Sequence, residues 1–266
     1  NHITGTLTAN LTDSRIGNQL IVAGRLGGTR DMGVTIHEVI VNAANSNLGS
    51  GNVMLGGFIE NEGADLATGK HTLTVDRVEF NATAGTVMQH FYAGGRADNG
   101  VLTVKEAVIS LENSTSGNIY GGGYSEGCGK NIVENVTITV GTGSTVRNVI
   151  AGGHNAGSTV ENATVEIAGG TVQYSVYGGG NNAAVENATA ILSGGAVAGA
   201  VKAGNVAGSQ SVGSAQVVFK GSAYTSVAGT VSGAGADRST LVFDAFTGNL
   251  DLKVQGFTGV EVRSGS

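Results

Sequence analysis

A five-residue phrase returns three times in the middle of this chain, as Val133-Glu134-Asn135-Val136-Thr137, Val160-Glu161-Asn162-Ala163-Thr164 and Val185-Glu186-Asn187-Ala188-Thr189. Each return is followed by a short apolar run, a glycine corner, a second apolar run and another Gly-rich corner, as far as Asn205. Self-similarity at a period of a few tens of residues marks a solenoid, whose unit buries its apolar face only by stacking on its neighbours. The runs are five to eight residues long and rich in Val, Ile and Thr. That is too short and too β-branched for helical arrays.

The repeat extends well beyond the three phrases. A small residue followed by Gly ends the second run at Ala23-Gly24, Leu55-Gly56, Ala93-Gly94, Gly121-Gly122, Ala151-Gly152, Gly178-Gly179, Ala203-Gly204 and Ala228-Gly229. Successive pairs lie 32, 38, 28, 30, 27, 25 and 25 residues apart, as expected where loops of different length hang from a constant frame. The rhythm predicts an all-β fold, a right-handed parallel β-helix of about eight turns. One turn reads Thr164–Ile167, corner Ala168-Gly169-Gly170, Thr171–Tyr177, corner Gly178–Asn182, then Ala183-Ala184-Val185. That is three strands and three corners, with Gly and Asn at corners because they accept positive φ at little cost.

Side chains alternate faces along a strand, so aligned turns sort residues into columns. On the second run Phe91, Ile119, Val149, Val176 and Val201 are expected to point inward, with Ala93, Gly121, Ala151, Gly178 and Ala203 small where the backbone turns. The column between them is Tyr92, Tyr120, Ile150, Tyr177 and Lys202, whose Tyr and Lys members predict an outward face. On the first run Ile138, Val165 and Ala190 are expected inward, and Thr137, Thr164 and Thr189 form an outward ladder.

Beyond Gly229 the Gly-pair rhythm gives way to Leu241-Val242-Phe243-Asp244-Ala245-Phe246-Thr247-Gly248 and Gly256-Phe257-Thr258-Gly259-Val260-Glu261-Val262. With the Val-Tyr-Gly-Gly-Gly and Val-Glu-Asn-Ala-Thr coils upstream, these segments resemble the β-helical passenger regions of bacterial autotransporters and related large surface adhesins. The resemblance covers most of the chain in repeat style and is most specific at residues 239–262. It implies export to the bacterial surface, a role in adhesion or presentation, and outer-membrane anchoring through a region outside this segment. Residues 1–266 are accordingly expected to be a single β-helix, a piece of a longer surface protein, with coils of altered style over 239–266. The strand-like start at Asn1-His2 and the stop at Ser264-Gly265-Ser266 fit that expectation.

Composition narrows the functional classes. With 46 Gly but no Pro in 266 residues, and regularly spaced β-branched residues, the chain is neither collagen nor a disordered linker. A formal charge of −6 without a block of Lys or Arg leaves no electrostatic footprint for nucleic acid or anionic lipid. No stretch approaches the ~20 apolar residues of a helical membrane span. The single cysteine, Cys128, excludes an intramolecular disulfide and a CxxC pair, and no His adjoins it to activate the thiol.

Charge gathers after the Gly pairs, at Arg30 and Asp31, Glu60, Glu62 and Asp65, Arg96 and Asp98, Glu126 and Lys130, and then His154. Carboxylates along one edge suit Ca²⁺ or acid/base work on a polysaccharide, but solvated corners also collect charge because they cannot bury it. The calcium nonapeptide G-G-x-G-x-D is missing, as are G-x-S-x-G, H-E-x-x-H and the P-loop. His2, His37, His71, His90 and His154 have no metal-ligand spacing and are expected at the surface. Asn10, Asn81, Asn113, Asn135, Asn162 and Asn187 open N-x-T triplets; stacked amides bonded from turn to turn explain the repeated ones better than glycosylation. Ice binding would need a T-x-T ladder, which fails where Glu166 and Ile191 follow Thr164 and Thr189.

The residues therefore predict a non-enzymatic binding or spacer module with no catalytic residue, metal or cofactor. It would present an extended face to a host-cell or extracellular-matrix protein or glycan, with self-association as a further option. The ligand-binding residues expected are Tyr92, Tyr120, Tyr177 and Lys202. The alternative is a carbohydrate-active β-helix enzyme, a polysaccharide lyase or glycoside hydrolase.

Overall fold

Alternation along the repeated phrase slips once, and that slip shapes the coil. In Lys130–Val140, Val133 and Val136 are both buried while Glu134 and Asn135 between them both point away from the interior. The strand bends there without breaking, and its ladder to the preceding turn skips the Glu134 position. The same bend recurs at His37-Glu38, between buried Ile36 and Val39.

The computed structural model describes residues 2–27, 31–49, 51–60, 71–207, 210–222, 226–263 and 265–266. Ten strands stack on the longest face: β1 His2–Thr12, β2 Met32–Ala44, β3 His71–Thr83, β4 Val101–Leu111, β5 Lys130–Val140, β6 Ser158–Ile167, β7 Ala184–Leu192, β8 Val212–Lys220, β9 Arg238–Asp244 and β10 Gly259–Val262. Each pairs in parallel with the next in the chain. Nine strands form the main path of a second face, from Leu20–Ile21 to Lys253–Gln255, so about eight turns separate its ends. A third, narrow side consists of Arg25–Leu26, Phe58–Ile59, Arg96–Ala97 and Tyr124–Ser125. Single bridges carry it on through His154, Asn181 and Ala207. The described residues contain no helix. The chain is an all-β parallel β-helix, continuous through residues 239–262.

The columns fall as the alternation required. Ile138, Val165 and Ala190 are level with one another and buried, and Thr137, Thr164 and Thr189 are level and point outward. Phe91, Ile119, Val149, Val176 and Val201 form one inward stack, each with 0% exposure. Each such side chain contributes roughly 1.5–3 kcal/mol by leaving water. Amide ladders reinforce the stacking outside: Asn187 Nδ2 donates to Asn162 Oδ1 at 3.0 Å and Asn162 Nδ2 to Asn135 Oδ1 at 3.1 Å. A second ladder joins Asn81, Asn42 and Asn10 at 3.0 and 2.9 Å. Asn113 instead occupies a corner with φ 47°.

Three details differ from expectation. The piece Ala183–Val185 is no separate third strand, because the Glu-Asn bend joins it to β7. The run Thr171–Tyr177 is two short strands, since Val146 pairs with Val172 but Val149 with Val176, leaving one extra residue. Tyr174 bulges out there, with Arg147 5.3 Å over its ring. Gly pairs also do not all mark one corner. Ile21 sits against Met54 and Arg25 against Phe58, so Gly24 lies level with Gly57 rather than Gly56. Ala228 and Gly229 donate to Val197 and Gly199 carbonyls, so this pair stacks on Ala198-Gly199, at a different corner from Ala203-Gly204.

At the C-terminal end Phe219, Phe243 and Phe246 fill the coil, with Phe219 and Phe243 stacked at 5.9 Å. A cleft of about 440 Å³ opens beside them, lined also by Leu241, Leu250 and Leu252.

Candidate functional site

Two outward columns meet across the corner that ends the second face. The first is the expected ligand column: Tyr92, Tyr120, Ile150, Tyr177 and Lys202 are in register from turn to turn, with Met54 before them. The second belongs to the third side and runs Arg25, Phe58, Arg96, Tyr124, His154. Inward neighbours alternate with both, Phe91 beside Tyr92 and Ser125 beside Tyr124, so both columns lie outside the coil. Their rings nevertheless touch. Tyr92 meets Tyr124 edge-on at 5.8 Å, and Tyr120 meets His154 edge-on at 5.7 Å. The corner between them is therefore re-entrant, and glycine lines it because there is no room for a side chain: a Cβ on Gly95 would overlap the Gly57 carbonyl oxygen.

The tyrosines face outward as expected, but Tyr92 and Tyr120 are covered and offer no open surface. Tyr92 and Tyr120 point away from the core yet are only 7% and 6% exposed, stacked at 4.8 Å with their planes 7° apart. With Ile150 they form a second apolar cluster outside the coil, flanked by Tyr124 and Tyr177. Burial, with Tyr120 and Tyr124 alongside, pushes the Tyr92 hydroxyl far above its ordinary titration range, and burial raises Tyr120 as well. Of these five only Tyr177 and Lys202 reach solvent, and Ser232 and Gln255 follow them in register. Tyr177 is half-buried, and Lys202 is exposed with its Nζ 5.5 Å from the Tyr177 ring centre.

The second column escaped sequence reasoning, which had placed Arg96 and His154 among corner charges and had not singled out Arg25, Phe58 or Tyr124. It is a stack of planar groups: Arg25 and Arg96 lie 5.3 and 5.1 Å from the Phe58 ring, Arg96 lies 5.2 Å from Tyr124, and Tyr124 stacks on His154 at 5.1 Å. The available signal was a planar residue two positions after Gly56, Gly94, Gly122 and Gly152. Partial burial lowers the pKa of His154. Exposed cation–π contacts give roughly 0.5–1 kcal/mol each.

Three of the corner carboxylates are held by guanidinium groups. Arg96 donates to both oxygens of Asp98 at 2.6 and 2.9 Å and to Glu126 at 2.6 Å, while Arg25 pairs with Glu60. Arg30, Glu62 and Asp65 lie outside the described residues. Among the described residues no three His, Cys, Asp or Glu converge as a metal site. Cys128 is exposed and free. The histidines are not uniformly superficial: His71 is 4% exposed, and His90 is half-buried with its Nδ1 accepting from the Asn118 amide at 3.3 Å.

No family model matches the chain, and neither does any curated protein or solved structure. The geometry of the two columns thus carries the functional argument alone.

Proposed function

We propose that the chain is a rigid, non-enzymatic binding module of a bacterial surface adhesin, exported and displayed to host-cell or matrix ligands. The observation that carries this reading is the stretch of the aromatic column where half-buried Tyr177 and exposed Lys202 reach solvent. A coil of in-register strands holds the Tyr177 ring beside the lysine, so little entropy is lost in ordering that ring when a ligand lands on it. The style of the coils, similar to that of autotransporter passengers, supports the surface location. A polysaccharide-cleaving function would need two carboxylates set on either side of a glycosidic bond. Asp98 and Glu126 instead share one guanidinium.

An array of extracellular-matrix proteins and glycans tests the proposal. Binding that is lost in the Tyr177→Ala, Lys202→Ala double variant, at unchanged melting temperature, supports it. Release of reducing ends or unsaturated sugars from acidic polysaccharide, abolished by Asp98→Asn, would replace it with the enzyme reading.

A further inference from the structure

The two columns interlock by a simple rule. Each member of the Tyr column is covered by the third-side residue of the following turn: Tyr92 by Tyr124, Tyr120 by His154. The third side continues His154, Asn181, Ala207, and the Tyr column continues Ile150, Tyr177. By register, Asn181 stands opposite Ile150 and Ala207 opposite Tyr177. Where two earlier turns place a ring, this turn places a methyl group. Tyr177 is consequently half-buried where Tyr92 and Tyr120 are buried, and Ala207 is itself exposed.

Lys202 follows Tyr177 in its column, and its ammonium lies against the tyrosine face. The ion pairs among the described residues engage Arg25, Arg77, Arg96, Lys105 and Arg263, and not Lys202.

We infer that the corner formed by Tyr177, Lys202 and Ala207 is a subsite for one acidic sugar ring, a uronate or a sialate. The ring takes the place that Tyr124 and His154 hold in earlier turns, with its C–H groups against the uncovered side of Tyr177, away from the ammonium, and its carboxylate on Lys202. This rests on the adhesive reading above and gives it a ligand class. A tyrosine ring with an adjacent cation suits such a sugar because one group meets its apolar face and the other its charge.

Titration calorimetry with trigalacturonate and with sialyllactose, each against its neutral counterpart (the trimethyl ester and lactose), separates the two sources. The acidic member of at least one pair should bind. Tyr177→Ala should weaken it about tenfold or more, as for a central aromatic anchor. Lys202→Gln should remove the preference for acid over neutral sugar. Ala207→His rebuilds the ring of the earlier turns and should abolish binding while holding or raising the melting temperature, so that loss of binding is not loss of fold. Binding of neither acidic sugar, or binding indifferent to Ala207→His, overturns the subsite. If matrix proteins or neutral glycans are still bound, the adhesive reading survives that failure; if nothing on the array binds, both fall.

Discussion

Gly95 is constrained twice, by its φ of 76° and by the Gly57 carbonyl that a Cβ would strike. Gly95→Ala should therefore destabilise the coil by about 2–4 kcal/mol, whereas Gly5, where an added methyl group would meet nothing within 4 Å, should accept Ala without effect; urea denaturation distinguishes the two. Tyr120 is the second test at this scale. Buried at 6% and stacked on Tyr92, it should cost about 3–5 kcal/mol on truncation to Ala, while Tyr177→Ala, at the open end, should cost far less. A comparable loss at both positions would mean that Tyr177 is as structural as its neighbour. Alternation was enough to place these tyrosines in one column on the far side from Val149 and Val176. It could not show that the column is covered, because the covering ring comes from a two-residue strand across a corner whose inward fold no single turn of sequence reveals.

Along β2 to β4 the outer face is held by charge. Arg77 reaches Glu38 at 2.8 Å, Glu79 at 2.5 Å and Glu106 at 3.3 Å, and Asp76 lies between Lys105 at 2.8 Å and His37 at 3.3 Å. Hydrogen bonds from Thr6 and then Arg77 hold the Glu38 pKa below its ordinary value. Asn81 and then Arg77 do the same for Glu79, and Lys105 and then His37 for Asp76. A carboxylate with a depressed folded pKa stabilises the fold above its unfolded value, near 4.5 for Glu and 3.8 for Asp, and that stability is lost as pH falls through the folded pKa. Melting temperature should therefore decline as pH drops below about 4.5, and Arg77→Gln should make that decline shallower. These groups are solvent-facing, so the effect is modest and should shrink in high salt; an acid limb unchanged by the substitution would show that the network contributes nothing. The repeated Val-Glu-Asn-x-Thr phrase made the register of β5, β6 and β7 legible in the sequence alone. The bend at Glu-Asn was not, because two adjacent polar residues read equally well as a corner between strands and as a bend within one.

At the scale of the whole molecule the turns are unequal in what they bury. Nearly every residue of β1 is exposed, and β10 is exposed in three of its four residues, whereas β4 to β6 bury every second residue on either side of the two-residue bend. Hydrogen exchange should be fastest in β1 and β10 and slowest in β4 to β6, since a solenoid frays where a turn has one neighbour instead of two. Uniform protection would show that the ends are held by contacts other than strand pairing. The Gly-pair rhythm made the number of turns legible, but not which corner each pair occupies, because every turn has more than one glycine corner and Ala228-Gly229 fits either. The parallel stacking of β1 to β10 in strict chain order also sets how the molecule bears load. A force applied to the two termini never shears a whole sheet at once; it lifts one rung at a time from an end. Each rung that detaches frees some 25–38 residues of chain, about 80–130 Å at full extension. A single molecule held in an optical trap should therefore lengthen in a staircase of similar steps, like thread unwinding from a spool.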